Sequence, residues 1–179
     1  EDKELDLAEY AKVIAFFKSK VKEYGLGKPF LCVEPGRYLV CDASILLTSV
    51  NTVKVTPGRK FVGVDAGFNT LVRPTMYGSY HHILVANKLD AAEKETYDVA
   101  GPICESGDLL AKDRALPQIV EGDLLAVLNA GAYGFSMSSQ YNSRPRAAEV
   151  MIRQGKDVLV RNREQLSDLL TSQKNIGEA

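Results

Sequence analysis

Tryptophan is absent from the 179 residues, and histidine and cysteine occur only two and three times. The two histidines, His81 and His82, are adjacent and so point to opposite faces of a strand. No CxxC or HxxxH spacing accompanies them, and a metal centre is not expected. Cys32, Cys41 and Cys104 are odd in number and widely spaced. That fits neither a disulfide framework nor a zinc site, and it implies a reducing compartment. No run of Lys and Arg is long enough to form a basic stripe. With 22 basic and 23 acidic residues the net charge is −1, which favours neither nucleic acid nor an anionic membrane as partner. The apolar runs fall far short of a membrane span, and Glu1-Asp2-Lys3-Glu4 is the reverse of a signal peptide. GxSxG is missing, so a serine hydrolase would have no nucleophile elbow. These absences lead to the expectation of a soluble, cytoplasmic protein whose partner is a small molecule or another protein.

What is present begins with a helix. From Leu5 to Tyr24 the apolar positions Leu5, Ala8, Ala11, Ile14, Ala15, Phe17 and Val21 approximate a 3.6-residue period, ended by Gly25 and Gly27. Phe30-Leu31-Cys32-Val33-Glu34 then reads as a short strand buried on both faces, as in a parallel sheet. Helix, glycine turn and buried strand make one α/β repeat unit. A complete (β/α)8 barrel takes about 250 residues, so this chain has room only for a piece of one. Past about Leu46 the character changes to short β-rich runs, V-N-T-V-K-V, F-V-G-V-D, I-L-V-A-N, Y-D-V-A-G, D-L-L-A-V-L, A-E-V-M-I and D-V-L-V-R. Turn chemistry lies between them, including Thr56-Pro57-Gly58-Arg59 with proline and glycine placed as in a type II turn. A terminal helix is expected over Arg163–Leu170, followed by a frayed tail from Thr171 to Ala179. The fold class predicted is α+β, with a mainly antiparallel β-barrel or sandwich after the α/β unit.

Pro-Gly-Arg occurs twice, and the two copies differ in context. Pro57-Gly58-Arg59 is adequately explained as a hairpin turn. Glu34-Pro35-Gly36-Arg37 follows the carboxyl end of an apolar run, the edge where α/β proteins place ligand groups. It offers a carboxylate, a bare backbone and a guanidinium together. Cys104 lies in Gly101-Pro102-Ile103-Cys104-Glu105-Ser106-Gly107-Asp108. As a bare residue it stays open between a packing thiol and a reagent on an irregular loop; the neighbouring Glu105 favours a protonated thiol, suited to donating a proton. Arg73 and Tyr77 lie four apart and share a face if the segment after Pro74 makes a helical turn, so both could address one carboxylate. Around Tyr133, the small residues Gly131 and Gly134 suggest close approach of a ligand.

Taken in order, C-V-E-P-G-R-Y-L-V, V-D-A-G-F-N-T-L-V-R-P-T-M-Y-G-S-Y-H, G-P-I-C-E-S-G-D, D-L-L-A-V-L-N-A-G-A-Y-G and S-S-Q-Y-N-S-R-P-R resemble the diaminopimelate decarboxylases. These are a branch of the fold-type III, pyridoxal-phosphate-dependent decarboxylases. The resemblance spans about residues 30 to 152 and matches the carboxyl-terminal half of that family's chain. It implies that residues 1–45 are the terminal segment of a (β/α)8 barrel binding pyridoxal 5'-phosphate and that residues 46–179 are the C-terminal β domain with short helices. It implies Glu34, Pro35, Gly36, Arg37 and Tyr133 as cofactor ligands, with Glu34 against the pyridine nitrogen and Gly36 and Arg37 at the phosphate. Arg37, Arg73, Tyr77, Glu105 and Tyr133 would hold the amino-acid substrate, and Cys104 would be the catalytic proton donor.

The resemblance also implies a homodimer with two shared sites, Cys104 and Glu105 reaching into the partner's. Glu after the cysteine looks like the diaminopimelate branch, where the ornithine and arginine branches have Asp. An Arg/Tyr pair and a Glu together suit a zwitterionic distal end, because a nearby Arg would repel ornithine's lone amine by about 1 to 4 kcal/mol. The implied reaction is decarboxylation of meso-diaminopimelate to L-lysine. None of the lysines here matches the family's Schiff-base lysine, so the expectation is a portion of a longer enzyme that does not decarboxylate by itself. Two alternatives stand beside it: a non-catalytic, regulatory β module, and a related ornithine- or arginine-type decarboxylase.

Overall fold

A computed structural model describes residues 5–174. The chain divides into two compact units, one running through Leu39 and the other starting at Val40. In the first, α1 (Leu7–Glu23) begins where the Asp6 carboxylate accepts from the N–H groups of Ala8 and Glu9. It ends at Tyr24, beyond which Gly25 and Gly27 take positive φ. The sequence-predicted helix is therefore present. The strand expected over Phe30–Glu34 is not: no strand among the described residues pairs with it, and Phe30 is 97% exposed. A parallel strand is defined by neighbours that take its N–H and C=O groups, and an apolar run without them stays an irregular segment. α2 (Gly36–Val40) follows it.

The second unit is built on a six-stranded sheet. Its strands are β1 (Leu46–Thr56), β2 (Arg59–Val64), β3 (Ile83–Val85), β4 (Glu95–Ala100), β5 (Leu109–Leu116) and β6 (Leu124–Val127), in the order β3-β6-β1-β2-β4-β5. All pairings are antiparallel except β2 with β4. β1 is long enough to serve two neighbours: Leu46–Ser49 pair with β6, and the segment from Val50 to Thr56 pairs with β2 after a register break between Val50 and Thr52. That bend, and the approach of β3 to β5, curl the sheet into a nearly closed barrel. Inward-facing Val62, Val64, Leu71, Val99, Leu125 and Val127 are fully buried, and each contributes roughly 1.5–3 kcal/mol. The mainly antiparallel barrel expected from the β-rich runs is the architecture observed. Pro57-Gly58 closes the β1–β2 hairpin, Gly58 having the φ of 82° that the third position of a type II turn requires.

A second, two-stranded sheet pairs β7 (Glu149–Arg153) with β8 (Lys156–Arg161). Where a helix was expected over Arg163–Leu170, a 3-10 turn covers Leu166–Leu170. Gln165 and Asp168 cap each other reciprocally at its start. The tail expected to fray from Thr171 onward lies mostly outside the described residues.

Asp123 illustrates how this barrel tolerates buried charge. Its carboxylate accepts from Lys88 Nζ at 2.6 Å, Asn87 Nδ2 at 2.9 Å and Val120 N at 2.8 Å. Burial alone would raise its pKa, but Lys88 and these donors outweigh burial and hold it below the ordinary carboxylate value. A lowered folded-state pKa means stability that is present above the unfolded value and lost as pH falls through the folded one. Asp123→Ala should cost about 2–3 kcal/mol near neutral pH. The gap from the unaltered chain should narrow as pH drops below about 4, the unfolded Asp value. Urea unfolding midpoints at the two pH values measure both effects.

Candidate functional site

In the first unit, Glu34, Gly36 and Arg37 are exposed and Pro35 is half-buried. The Pro35 carbonyl accepts from Leu39 N at 3.2 Å, so the tetrapeptide turns directly into α2. Nothing lies within 4 Å of where a Cβ on Gly36 would stand, which leaves its backbone open to approach.

In the second unit the remaining predicted residues gather around one short helix, α3 (Arg73–Tyr77). Pro74 suits its first turn because the missing N–H is one that no helix start uses. Gly78, at φ 63°, ends it by donating to the Pro74 carbonyl at 3.1 Å, while Ser79 N reaches the Arg73 carbonyl at 3.3 Å. One turn of helix brings Arg73 and Tyr77 together, the guanidinium carbon standing 5.1 Å from the Tyr77 ring centroid. It stands 4.6 Å from the Tyr133 ring as well. Arg73 is thus held by two aromatic rings and makes no ion pair among the described residues. Such contacts contribute about 0.5–1 kcal/mol each at exposed sites and leave the guanidinium N–H groups unused.

Tyr133 occupies the left-handed region at φ 65°, unusual for a residue with a side chain. The glycines beside it make that backbone path possible. A Cβ on Gly131 would come within 1.8 Å of the Val40 carbonyl oxygen, and one on Gly134 within 2.2 Å of that of Ala130. The small residues expected to admit a ligand therefore admit backbone.

The loop between β4 and β5 carries Cys104 and Glu105, both exposed, beyond the buried Ile103. Its shape is set by Asp108, which sequence reasoning passed over. The buried Asp108 carboxylate accepts from Phe68 N at 2.6 Å through Oδ1 and from Ile103 N at 2.7 Å through Oδ2. Gly101 N donates to the Asp108 carbonyl at 2.9 Å, closing the loop. Burial pushes the Asp108 carboxyl above its ordinary pKa, against the opposing pull of the Ile103 and Phe68 N–H groups and of Arg144. Thr75 Oγ1 on α3 donates to the Gly107 carbonyl at 2.7 Å and so fastens the loop to the helix of Arg73 and Tyr77. Glu105 Oε1 accepts from Gly107 N at 3.3 Å. Asn142 Nδ2 approaches Cys104 Sγ at 3.9 Å from a turn whose residues Asn142 and Ser143 both have positive φ.

The flanking segment is pinned by Glu164. Its carboxylate accepts from Arg146 N at 2.8 Å, Gln140 Nε2 at 2.9 Å and Arg146 Nε at 2.8 Å. These partners, the Arg146 N–H first, hold its pKa down to about 2. A cleft of about 540 Å3 in the second unit is lined by Thr70, Leu71, Gly131, Phe135 and the β7–β8 ribbon, and none of Arg73, Tyr77, Cys104 or Glu105 lines it. His81 is buried with Nδ1 at 2.9 Å from the Leu128 carbonyl, whereas His82 is exposed near Tyr80. No group of three metal-ligating side chains occurs among the described residues. Asp108 and Thr75 could have been found from the sequence only by asking which partners would satisfy an Asp and a Thr flanking glycine loops.

Similarity to known proteins converges on one family. The diaminopimelate decarboxylase of Methanothermobacter thermautotrophicus is 64% identical over 174 residues, which is 97% of this chain and 40% of the relative. That of Archaeoglobus fulgidus is 56% identical over 82% of this chain and 35% of its own length. Among solved structures, a diaminopimelate decarboxylase from M. jannaschii in co-complex with L-lysine superposes with a TM-score of 0.82 at 40% identity, over 92% of this chain and 37% of that one. A lysine/ornithine decarboxylase from Vibrio vulnificus, at 23% identity and a TM-score of 0.55, shares the fold. The chain spans about two fifths of the length of the curated relatives it matches. Residues 16–131 match the model of the pyridoxal-dependent decarboxylase C-terminal sheet domain. With the barrel, α3 and the loop of Cys104 all inside that match, the chain belongs to the pyridoxal-dependent decarboxylase family.

Proposed function

We propose that this chain is part of a diaminopimelate decarboxylase, which removes CO2 from the D-centre of meso-diaminopimelate and yields L-lysine. The observation that carries the reading is a pair of opposite charges left available. Arg73 is oriented by Tyr77 and Tyr133 and has no ion-pair partner among the described residues, while Glu105 stands exposed, taking one backbone N–H among them. A ligand end bearing both a carboxylate and an ammonium satisfies both, and ornithine's distal amine satisfies only the second. The identity of 64% to a diaminopimelate decarboxylase supports the same substrate.

The residues present fit pyridoxal 5'-phosphate. Gly36, with open space where a Cβ would be, leaves backbone N–H groups for a phosphate, and Arg37 adds a guanidinium. Glu34, exposed, offers a carboxylate to hold a proton on the ring nitrogen. Pro35 sets their spacing, and Tyr133 completes the set that meets cofactor and substrate. When bound, the cofactor supplies the electron sink that takes up the pair left by departing CO2. Arg73 and Tyr77 bind the distal carboxylate, Arg37 assists at the substrate, and Glu105 binds the distal ammonium. Cys104 Sγ delivers a proton to the α-carbon in place of the lost carboxylate.

Residues 1–45 act as the last segment of the cofactor-binding barrel and residues 46–179 as the β domain. Two copies form a homodimer in which Cys104 and Glu105 serve the partner's site, and their exposure beyond the buried Ile103 supports that assignment. Three free cysteines suit the cytoplasm, and no described helix is long and apolar enough to cross a membrane.

The full-length protein loaded with pyridoxal 5'-phosphate should release CO2 from meso-diaminopimelate and far less from ornithine or arginine. No release from any of the three would leave the regulatory-module alternative standing. Arg73→Ala and Glu105→Ala should each lower kcat/KM for diaminopimelate by about 10- to 100-fold, the worth of one charge-assisted contact. Retention of full activity by Glu105→Ala would overturn the substrate assignment. A subunit-mixing assay checks the dimer. Cys104→Ala and Arg73→Ala chains, each impaired alone, should regain about one quarter of wild-type activity when mixed, because half of the dimers are heterodimers and each holds one intact site of two.

A further inference from the structure

We infer that Asp108 is a positioning residue for the reaction: its carboxylate fixes the direction in which Cys104 and Glu105 leave the barrel, so the proton donor and the ammonium reader act as one rigid unit. This rests on the roles proposed above for Cys104 and Glu105. Asp108 touches neither of their side chains and acts through the backbone.

Three pieces of geometry carry it. First, the N–H that Asp108 Oδ2 takes, at 2.7 Å, is that of Ile103, the residue immediately before Cys104. Second, Oδ1 takes the N–H of Phe68 at 2.6 Å, so the loop is referenced to the segment leading from β2 to α3 and not only to itself. Third, the carboxylate fills a slot that two glycines keep open. A Cβ on Gly67 would stand 2.8 Å from both carboxylate oxygens, and one on Gly101 would stand 2.3 and 2.5 Å from them and 2.5 Å from Gly67 Cα. Two motifs forty residues apart, D-A-G-F-N and G-P-I-C-E-S-G-D, are therefore a single device. Ile103 anchors it inward at 7% exposure, and the next two side chains point out.

Asparagine is the same size as aspartate but replaces one acceptor with a donor, so one of the two N–H groups must lose its partner. In the full-length, cofactor-loaded protein, Asp108→Asn should lower kcat/KM for meso-diaminopimelate by about 10²-fold, the scale of a 1 Å misplacement. Bound cofactor per chain should stay at the wild-type level, and the pH profile of kcat should change. Iodoacetamide should alkylate Cys104 faster than in the unaltered protein, read by peptide mass spectrometry, because the freed loop opens to the reagent. Thr75→Val, which releases Gly107 and leaves the carboxylate cradle whole, should stay within about 3-fold of wild type, as expected of an exposed surface contact.

A kcat/KM for Asp108→Asn within that same narrow range, with unchanged alkylation, would overturn the role of Asp108. So would a loss in Thr75→Val as large as that in Asp108→Asn. If Asp108→Asn yields no cofactor-loaded dimer, Gly67→Ala, which keeps the carboxylate and crowds it, carries the same expectation. Failure of both to assemble would assign Asp108 to folding alone and end the inference. Absence of decarboxylation by the unaltered protein would instead count against the proposed function, and the alkylation comparison would still decide the role of Asp108.

Discussion

A carboxylate removed from water has to be met by donors, and the way Asp108 is met shapes the loop on which Cys104 and Glu105 leave the barrel. Its two oxygens are taken by backbone N–H groups from separate segments, Phe68 after β2 and Ile103 after β4. β2 and β4 are also the one parallel pair of the barrel, so both strands run out of the sheet toward the same end. The segments leaving them must be fastened to each other there, and a single buried acceptor does so without adding a strand. Gly67 and Gly101 follow as a steric necessity, since any side chain at either position would occupy the space of the carboxylate. Thr75 then joins α3 to the same loop through the Gly107 carbonyl. The raised pKa of Asp108 is the cost of this placement, incurred by burial and only partly offset by its donors.

How much of this could be read in the sequence depended on whether an element is local. Strands β1, β2 and β6 alternate or run apolar over several residues, and the Pro57-Gly58 turn is fixed by two residues, so both were legible. α3 was legible for the same reason, with Pro74 at one end and Gly78 at the other. β5 was not. Its centre, Lys112-Asp113-Arg114, is charged, and Asp113 takes φ 50° with its N–H on Asp98, interrupting the register with β4. A pattern rule sees only a polar interruption there. Phe30–Glu34 failed in the opposite direction, because apolar composition is a necessary condition for a buried strand, while pairing is what makes one.

The candidate site was legible as a set of residue types and illegible as an arrangement. Arg73, Tyr77, Tyr133, Cys104 and Glu105 were each identifiable from their motifs. That Tyr133 stacks on Arg73 depends on a left-handed backbone bracketed by Gly131 and Gly134, and no spacing rule predicts it. That Asp108 governs the loop of Cys104 depends on a contact across forty residues of sequence. In both cases the missing information is long-range satisfaction of backbone groups, which a one-dimensional pattern does not encode.

Opposite charges placed close together normally quench each other, and on the proposed reading a site for a zwitterion has to avoid that. Here Arg73 is oriented by ring faces, which attract a cation without occupying its N–H donors. Glu105 is oriented through its own loop backbone, which fixes the chain and leaves the carboxylate with one weak donor. Elsewhere in the same chain the alternative is visible: Glu164 is saturated by Arg146 and Gln140, its carboxyl held down to about 2, and it has little acceptor capacity left for a ligand. Glu164 and Asp123 are thus paired with side chains and N–H groups at short range, whereas Arg73 and Glu105 have no ion-pair partner among the described residues. On the proposed reading, that division is what lets one ligand end meet both signs at once, and in a dimer with shared sites the two charges would come from different subunits and have no opportunity to pair before the substrate arrives.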